Sequence, residues 1–208
     1  MRGTSEAHPR DVIVDVVVAM LDSEGYDAVK LQEVARRARV SLATVYKFFP
    51  SRDELILAAV ERWMHALAYS KLTMPRPGES LYEVTVRVTR TVFEPWERHP
   101  RMLEAFHRAR MTPGGERLDA QGRAVVEPIM QPLLDHADPD YVRDLGMITD
   151  ILVYGLIGRF SDGRIGIHDI LPTLERALFW LTAGYVSAPS SRPSRSPRSR
   201  RASTSGPR

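Results

Sequence analysis

The chain has 208 residues, of which 43% are apolar and 26% charged, so it can bury a core as one large or two small domains. It has no cysteine, which excludes a disulfide framework and a thiolate metal centre, and no apolar run of about 20 residues that could span a membrane. The formal charge of +3 becomes −3 once six arginines near the end (Arg192, Arg195, Arg198, Arg200, Arg201 and Arg208) are set aside, so the basic balance alone says nothing about nucleic acid.

The opening MRGTSEAHPRD lacks the apolar stretch of a secretory signal, which suits a cytoplasmic protein. Asp11 can cap a first helix in which Ile13, Val16, Val17, Met20 and Leu21 recur at helical spacing. The β-branched runs Val12-Ile13-Val14 and Val16-Val17-Val18 favour a strand when taken alone, but the helical period outweighs them. Gly25 ends this helix through its tolerance of positive φ.

Residues 31–55 read as two short helices joined by a tight turn. Leu31, Val34 and Ala35 share one face of the first, Val40 sits in the turn, and Val45, Phe48 and Phe49 give the second its apolar face. Ser41 is a natural N-cap for the second helix. Its polar positions Ser41, Thr44, Tyr46 and Lys47 lie in the N-terminal half or on the outward side, where recognition helices meet DNA. Between Lys30 and Arg52 there are six cations (Lys30, Arg36, Arg37, Arg39, Lys47, Arg52) against Glu33 alone. Such a patch can displace counterions from phosphate.

After Pro50, Ser51 caps a long helix expected to reach about residue 72, with Leu55, Ile56, Ala59, Val60, Trp63 and Leu67 inward, and Pro75-Arg76-Pro77-Gly78 stops it. The next helix carries Leu81, Val84, Val88 and Val92, and Pro95 should kink or end it. Pro100 opens a short helix that Thr112-Pro113-Gly114-Gly115 closes. From residue 118 to about 136 the pattern is helical, with Pro128 and Pro132 implying a bend or a break. Asp138-Pro139 starts a helix reaching about residue 159, Gly163 and Gly166 mark a loop, and a last helix spans about 169–185. No segment offers a period-2 strand pair. The chain reads as all-α, with 1–9 a flexible N-terminus and 187–208 an Arg/Ser/Pro-rich tail expected to be disordered.

A hydrophobic first helix, the pair Gly25-Tyr26, the helix-turn-helix over 34–45 and the run Tyr46-Lys47-Phe48-Phe49-Pro50-Ser51-Arg52 follow one another as in the TetR family of bacterial repressors, which this third of the chain resembles. The resemblance implies a helix-turn-helix DNA-binding domain over 10–57 and a helical effector-binding and dimerisation domain over 58–186. It implies that Tyr46, Lys47 and Arg52 touch phosphates and that Ser41, Leu42, Ala43 and Thr44 face phosphates or base edges of double-stranded DNA. Thr44 has the obvious polar base-reading group, while Leu42 and Ala43 suit a thymine methyl. Arg36, like Arg37 and Arg39, is either a DNA contact or simply part of a solvated face. Three positions depart from the commonest pattern: Lys30 stands where Thr or Ser often caps, Arg39 where Gly often turns, and Ala43 where Gly is frequent.

In TetR-like proteins the ligand lies among the helices after the DNA-binding unit, which makes Trp96, Phe106, Met130 and Met147 candidates for a small apolar effector. Such a stripe is also what a plain core looks like. His107 or Arg110 can orient a polar or acidic part of the ligand. The run GYDAVKLQEVARRARVSLATVYKFFPSRDELI is similar to actinobacterial repressors of steroid and lipid catabolism, which implies an acyl-CoA thioester or related apolar acid as inducer. The resemblance also implies a homodimer through the last two helices, where Gly155, Gly158, Ala177 and Ala183 permit close approach, and hence an inverted-repeat operator. No metal, cofactor or catalytic residue is expected. Two rival readings are an effector-free architectural DNA binder relying on the arginine tail, and an all-α metal-dependent enzyme around Glu104 and His107. The second lacks the second Glu-x-x-His that diiron bundles use.

Overall fold

A computed structural model describes residues 8–187, and these are all-α. The helices are α1 (Pro9–Ser23), α2 (Leu31–Ala38), α3 (Leu42–Phe48), α4 (Arg52–Leu67), α5 (Leu81–Arg98), α6 (Pro100–Arg110), α7 (Glu116–Leu134), α8 (Pro139–Ser161) and α9 (Ile170–Ser187). Single 3₁₀ turns at Tyr26–Ala28, Tyr69–Lys71 and Ile167–Asp169 punctuate them. The flexible N-terminus expected over 1–9 lies outside the described residues up to residue 7, and the arginine tail lies outside them from residue 188. Among the described residues no helix is long and apolar enough to cross a membrane.

Several boundaries differ from the expectation for identifiable reasons. The N-cap of α1 is His8, whose Nδ1 accepts the Arg10 N–H at 3.3 Å, with Pro9 in the first turn. Asp11 falls inside the helix and pairs with Arg62 of α4 at 2.8 Å. The fourth helix stops at Leu67, and the expected last turn is the 3₁₀ segment Tyr69–Lys71. Pro95 does not end α5, which continues through it to Arg98. Pro128 and Pro132 likewise sit inside an unbroken α7. Both are solvent-exposed, so water can reach carbonyls that lack a helical donor. The expected caps at Ser51 and Asp138 are formed: Ser51 accepts the Glu54 N–H at 3.1 Å and Asp138 the Asp140 N–H at 2.8 Å.

The main core runs without interruption from α1–α3 into α4 and α6. Ile13, Val17 and Leu21 of α1, Val34 of α2, Val45 of α3, Leu55, Ile56 and Val60 of α4, and Met102, Leu103 and Phe106 of α6 are buried in it. Helix α4 packs on both α1 and α6, and thereby joins the helix-turn-helix to the remainder. Helix α9 packs on α5 and α8. A smaller core of Val84, Val88 and Ile129 lies between α5 and α7, flanked by Leu72, Val126, Met130 and Leu133.

Candidate nucleic-acid interface

The chain reverses between α2 and α3 at Arg39, which adopts the left-handed region at φ 55° and ψ 40°. Among the described residues it is the sole non-glycine with positive φ. The Val40 N–H returns to the Ala35 carbonyl at 3.0 Å and closes the turn. Gly25, at φ 87°, makes the corresponding reversal after α1 without the strain a side chain would bring.

Burial then orients α3. Val45 is buried at its centre and Phe49 at its end, so Ser41, Ala43, Tyr46 and Lys47 are left exposed, Tyr46 at 51%. Ser41 caps the helix as expected: its Oγ accepts the Thr44 N–H at 3.0 Å and lies 2.8 Å from Thr44 Oγ1. Leu42 and Thr44 are half-buried. The predicted residues 41–44, 46 and 47 therefore form one edge and outer side of a short helix.

The arginines are less available than their number suggests. Arg36 donates through Nε and Nη2 to Glu33, at 2.8 and 2.6 Å, although its side chain remains 71% exposed. Arg37 donates to the same Glu33 at 2.6 Å and to Glu24 at the end of α1. The hydrogen bonds from Arg36 and Arg37 hold the Glu33 carboxyl down to about 2. Arg52 is turned inward: Nε donates to the Val29 carbonyl at 2.6 Å and Nη2 to the Tyr26 carbonyl, with the guanidinium 4.5 Å from the Tyr26 ring centroid. It clamps the start of α4 to the loop before α2. Lys30, Arg39 and Lys47 stay solvent-exposed.

Polar contacts from beyond α4 reach this unit, among them one from α6 and one from α7 that the sequence does not announce. Arg108 of α6 donates to both carboxylate oxygens of Asp27 at 2.7 and 2.8 Å and lies 4.0 Å from the Tyr26 ring. Arg117 of α7 pairs with Glu54 at 2.7 Å and Glu61 at 2.8 Å, both on α4. Burial raises the Glu61 carboxyl above its ordinary value, against the opposing charge of Arg117.

The six effector candidates fall in different places. Trp96 is 2% exposed and packs in the core against Trp63, with ring centroids 4.5 Å apart, and against Phe106 at 5.4 Å. Met130 flanks the smaller core, whereas Met147 is 53% exposed on α8. His107 faces α8 closely enough that a Cβ at Gly158 would sit 3.8 Å from its Cε1. Arg110 donates to Asp119 of α7 at 2.8 Å and stacks 3.6 Å from the Tyr154 ring centroid. Tyr154 donates its hydroxyl to Asp119 at 2.6 Å, and burial first, then Asp119, pushes its pKa up. Surface depressions of about 410 and 490 Å³ lie along α5, one of them against α9, and none of the six candidates lines either.

Comparison with known proteins gives two family matches along the chain. Residues 13–59 match the family described as bacterial regulatory proteins, tetR family, and residues 78–181 match the tetracyclin repressor-like C-terminal domain. Over 113 residues the chain is 29% identical to the HTH-type transcriptional repressor KstR of Rhodococcus jostii, covering 53% of this chain and 51% of that one. It is 44% identical over 52 residues to an uncharacterized HTH-type transcriptional regulator of Mycobacterium tuberculosis, covering 24% and 26%. The chain thus spans about half the length of the KstR relatives it matches. Among solved structures, a TetR transcriptional regulator from Rhodococcus sp. RHA1 shares the fold at a TM-score of 0.65 and 21% identity, over 84% of this chain and 94% of that one. A tetR-family regulator from Streptomyces coelicolor does so at 0.62 and 21%, over 89% and 84%.

Proposed function

The chain belongs to the TetR family of bacterial regulatory proteins, and from that premise we propose that it is a ligand-responsive transcriptional repressor binding an inverted-repeat operator as a homodimer. The observation that carries this reading is the orientation of α3: Val45 and Phe49 are buried while Ser41, Ala43, Tyr46 and Lys47 face outward from one short helix. In this reading residues 10–57 bind DNA and 58–186 bind the effector and dimerise. Lys47 and Tyr46 meet phosphates, and residues 41–44 meet phosphates or base edges. Arg36 and Arg52 add positive potential while their guanidiniums remain committed to Glu33 and to the loop carbonyls.

The homodimer is supported by apolar side chains that a monomer leaves in water. Met147, Ile148 and Ile151 (66% exposed) on α8 and Phe179 and Trp180 (71%) on α9 are exposed on two helices that pack together. Apolar exposure of this kind marks an interaction surface. Of the small residues expected there, Gly155 has open space around it, whereas Gly158 faces His107 of α6.

The effector would act by linkage: a ligand that binds better to a conformation with displaced recognition helices weakens DNA binding by the factor by which DNA weakens ligand binding. Arg117 on Glu54 and Glu61, and Arg108 on Asp27, are the polar ties through which α7 and α6 would pull on α4 and on the loop before α2. We assign the effector to a small apolar acid or acyl-CoA thioester, with His107 or Arg110 as the group for its polar end. The test is selection from random duplex DNA by the full-length protein at near-physiological salt. An inverted repeat is expected, and recovery of no consensus would contradict the reading in favour of tail-driven architectural binding.

A further inference from the structure

The arginines of α2 are closed on carboxylates of their own domain. Glu33, in the first turn of α2, accepts Arg36 Nε at 2.8 Å, Arg36 Nη2 at 2.6 Å and Arg37 Nε at 2.6 Å. Arg37 reaches on to Glu24 just past the end of α1, with Nη2 3.0 Å from Oε2 and Nη1 on Oε1. Two guanidiniums and two carboxylates make a group whose charges sum to zero. Nothing buries Arg36 into this arrangement, since its side chain is 71% exposed. Surface pairs three or four residues apart add little to helix stability, so stability alone is a weak reason for one carboxylate to hold both arginines.

In a helix-turn-helix the first helix crosses the DNA backbone. An exposed arginine there adds to the counterion-release part of affinity, which is the same for every sequence. A guanidinium shared with a carboxylate adds less, because the phosphate must compete for it and the carboxylate is left facing the phosphate. We propose that Glu33 is a specificity-determining residue that touches no base: it withholds Arg36 from phosphate and so limits the affinity for DNA of any sequence. Outside the group, Lys30, Arg39 and Lys47 remain as exposed cations of the same segment. The proposal rests on the regulator reading above and concerns the regulation of that DNA-binding surface.

The test titrates the full-length protein across salt concentrations against its selected duplex and a scrambled duplex of the same composition. Glu33→Gln frees Arg36 while Arg37 keeps Glu24. On the scrambled duplex the slope of log affinity against log salt should steepen by about 2 for a dimer, and affinity at near-physiological salt should rise roughly tenfold or more. The selected duplex should gain less, because its base contacts fix the register and the freed arginine must take the phosphate that register offers. Arg36→Gln should then flatten the slope much more in the Glu33→Gln protein than in the wild type. An unchanged slope in Glu33→Gln would overturn the proposal, as would an equal gain on both duplexes. So would an Arg36→Gln effect of the same size in both backgrounds, which would make the two charges independent fields. If no repeat is selected yet Glu33→Gln still steepens the slope in an Arg36-dependent way, the regulator reading falls while the restraint on Arg36 stands.

Discussion

The helix-turn-helix region and the helices from α5 onward are built by different means. In the first, the recognition turn itself closes over a few residues, since Ser41 caps to Thr44, Val40 returns to Ala35, and Glu33 holds Arg36 and Arg37 within one turn, while Arg37 and Arg52 tie it to Glu24 and to the Val29 and Tyr26 carbonyls. In the second, the decisive polar contacts join distant helices, as in Arg108 with Asp27, Arg117 with Glu54, and Arg110 and Tyr154 with Asp119. A locally determined surface keeps its shape while the rest of the chain varies. A surface held by long-range pairs can be retuned by a single side chain, which suits a site that must change when an effector binds.

The largest expected effect tests whether the two regions share one core. Trp96→Ala removes an indole packed between Trp63 and Phe106 and should cost roughly 3–5 kcal/mol. Because the core is continuous from α1 to α6, chemical denaturation should still show one transition for both regions. Two separate transitions would break the comparison into independent domains.

Next is Gly115, at the turn between α6 and α7, where a Cβ would lie 2.2 Å from the Arg110 carbonyl oxygen. Gly115→Ala should cost roughly 1–3 kcal/mol, since backbone must shift to admit it, and should displace Arg110 and Arg117 together. Denaturant midpoints measure the cost, and an unchanged midpoint would show that the turn relaxes freely.

Alkaline pH probes the buried phenols beyond the helix-turn-helix region. Burial pushes Tyr69 up from 10.0 to about 12, and Tyr154 is also raised by burial and by Asp119. The unfolded chain then loses these protons first, so stability should be intact below about pH 10 and fall as pH rises from there toward 12. Tyr69→Phe should flatten that slope in denaturant midpoints measured between pH 9 and about 11. An unchanged slope would show that Tyr69 is not responsible.

The smallest effects concern the exposed pair and the strained turn. Arg108→Gln should cost no more than about 1 kcal/mol of stability, because both partners face solvent, yet it should alter operator affinity if the tie to Asp27 positions the DNA-binding unit. Arg39→Gly relieves a left-handed residue and should change stability by less than about 1 kcal/mol in the favourable direction, since glycine's unfolded-state entropy offsets part of the relief. Thermal unfolding of the two variants checks both magnitudes.

Legibility followed the same division. The caps Ser41, Ser51 and Asp138 and the buried faces of α2 and α3 were readable because they depend on neighbours within four residues. The capping box Ser80 to Glu83 carries its signal openly in the Ser-x-x-Glu spacing. Arg52 could not be told from a phosphate-binding arginine, because its carbonyl partners at Tyr26 and Val29 are set by tertiary folding. The same holds for Arg108 and Asp27, which lie 81 residues apart. Proline was the misleading signal: α5 and α7 run through Pro95, Pro128 and Pro132, and at the exposed Pro128 and Pro132 water can reach the carbonyls left without a helical donor.

The most direct test of the central claim, that α3 of a dimer carries DNA recognition, is a footprint of the full-length protein on its selected duplex, repeated with Lys47→Gln. We expect two protected half-sites centred about 10 base pairs apart or a multiple of that spacing, both weakened alike by the substitution. A single protected stretch without internal symmetry, or protection that Lys47→Gln leaves unchanged, would contradict it.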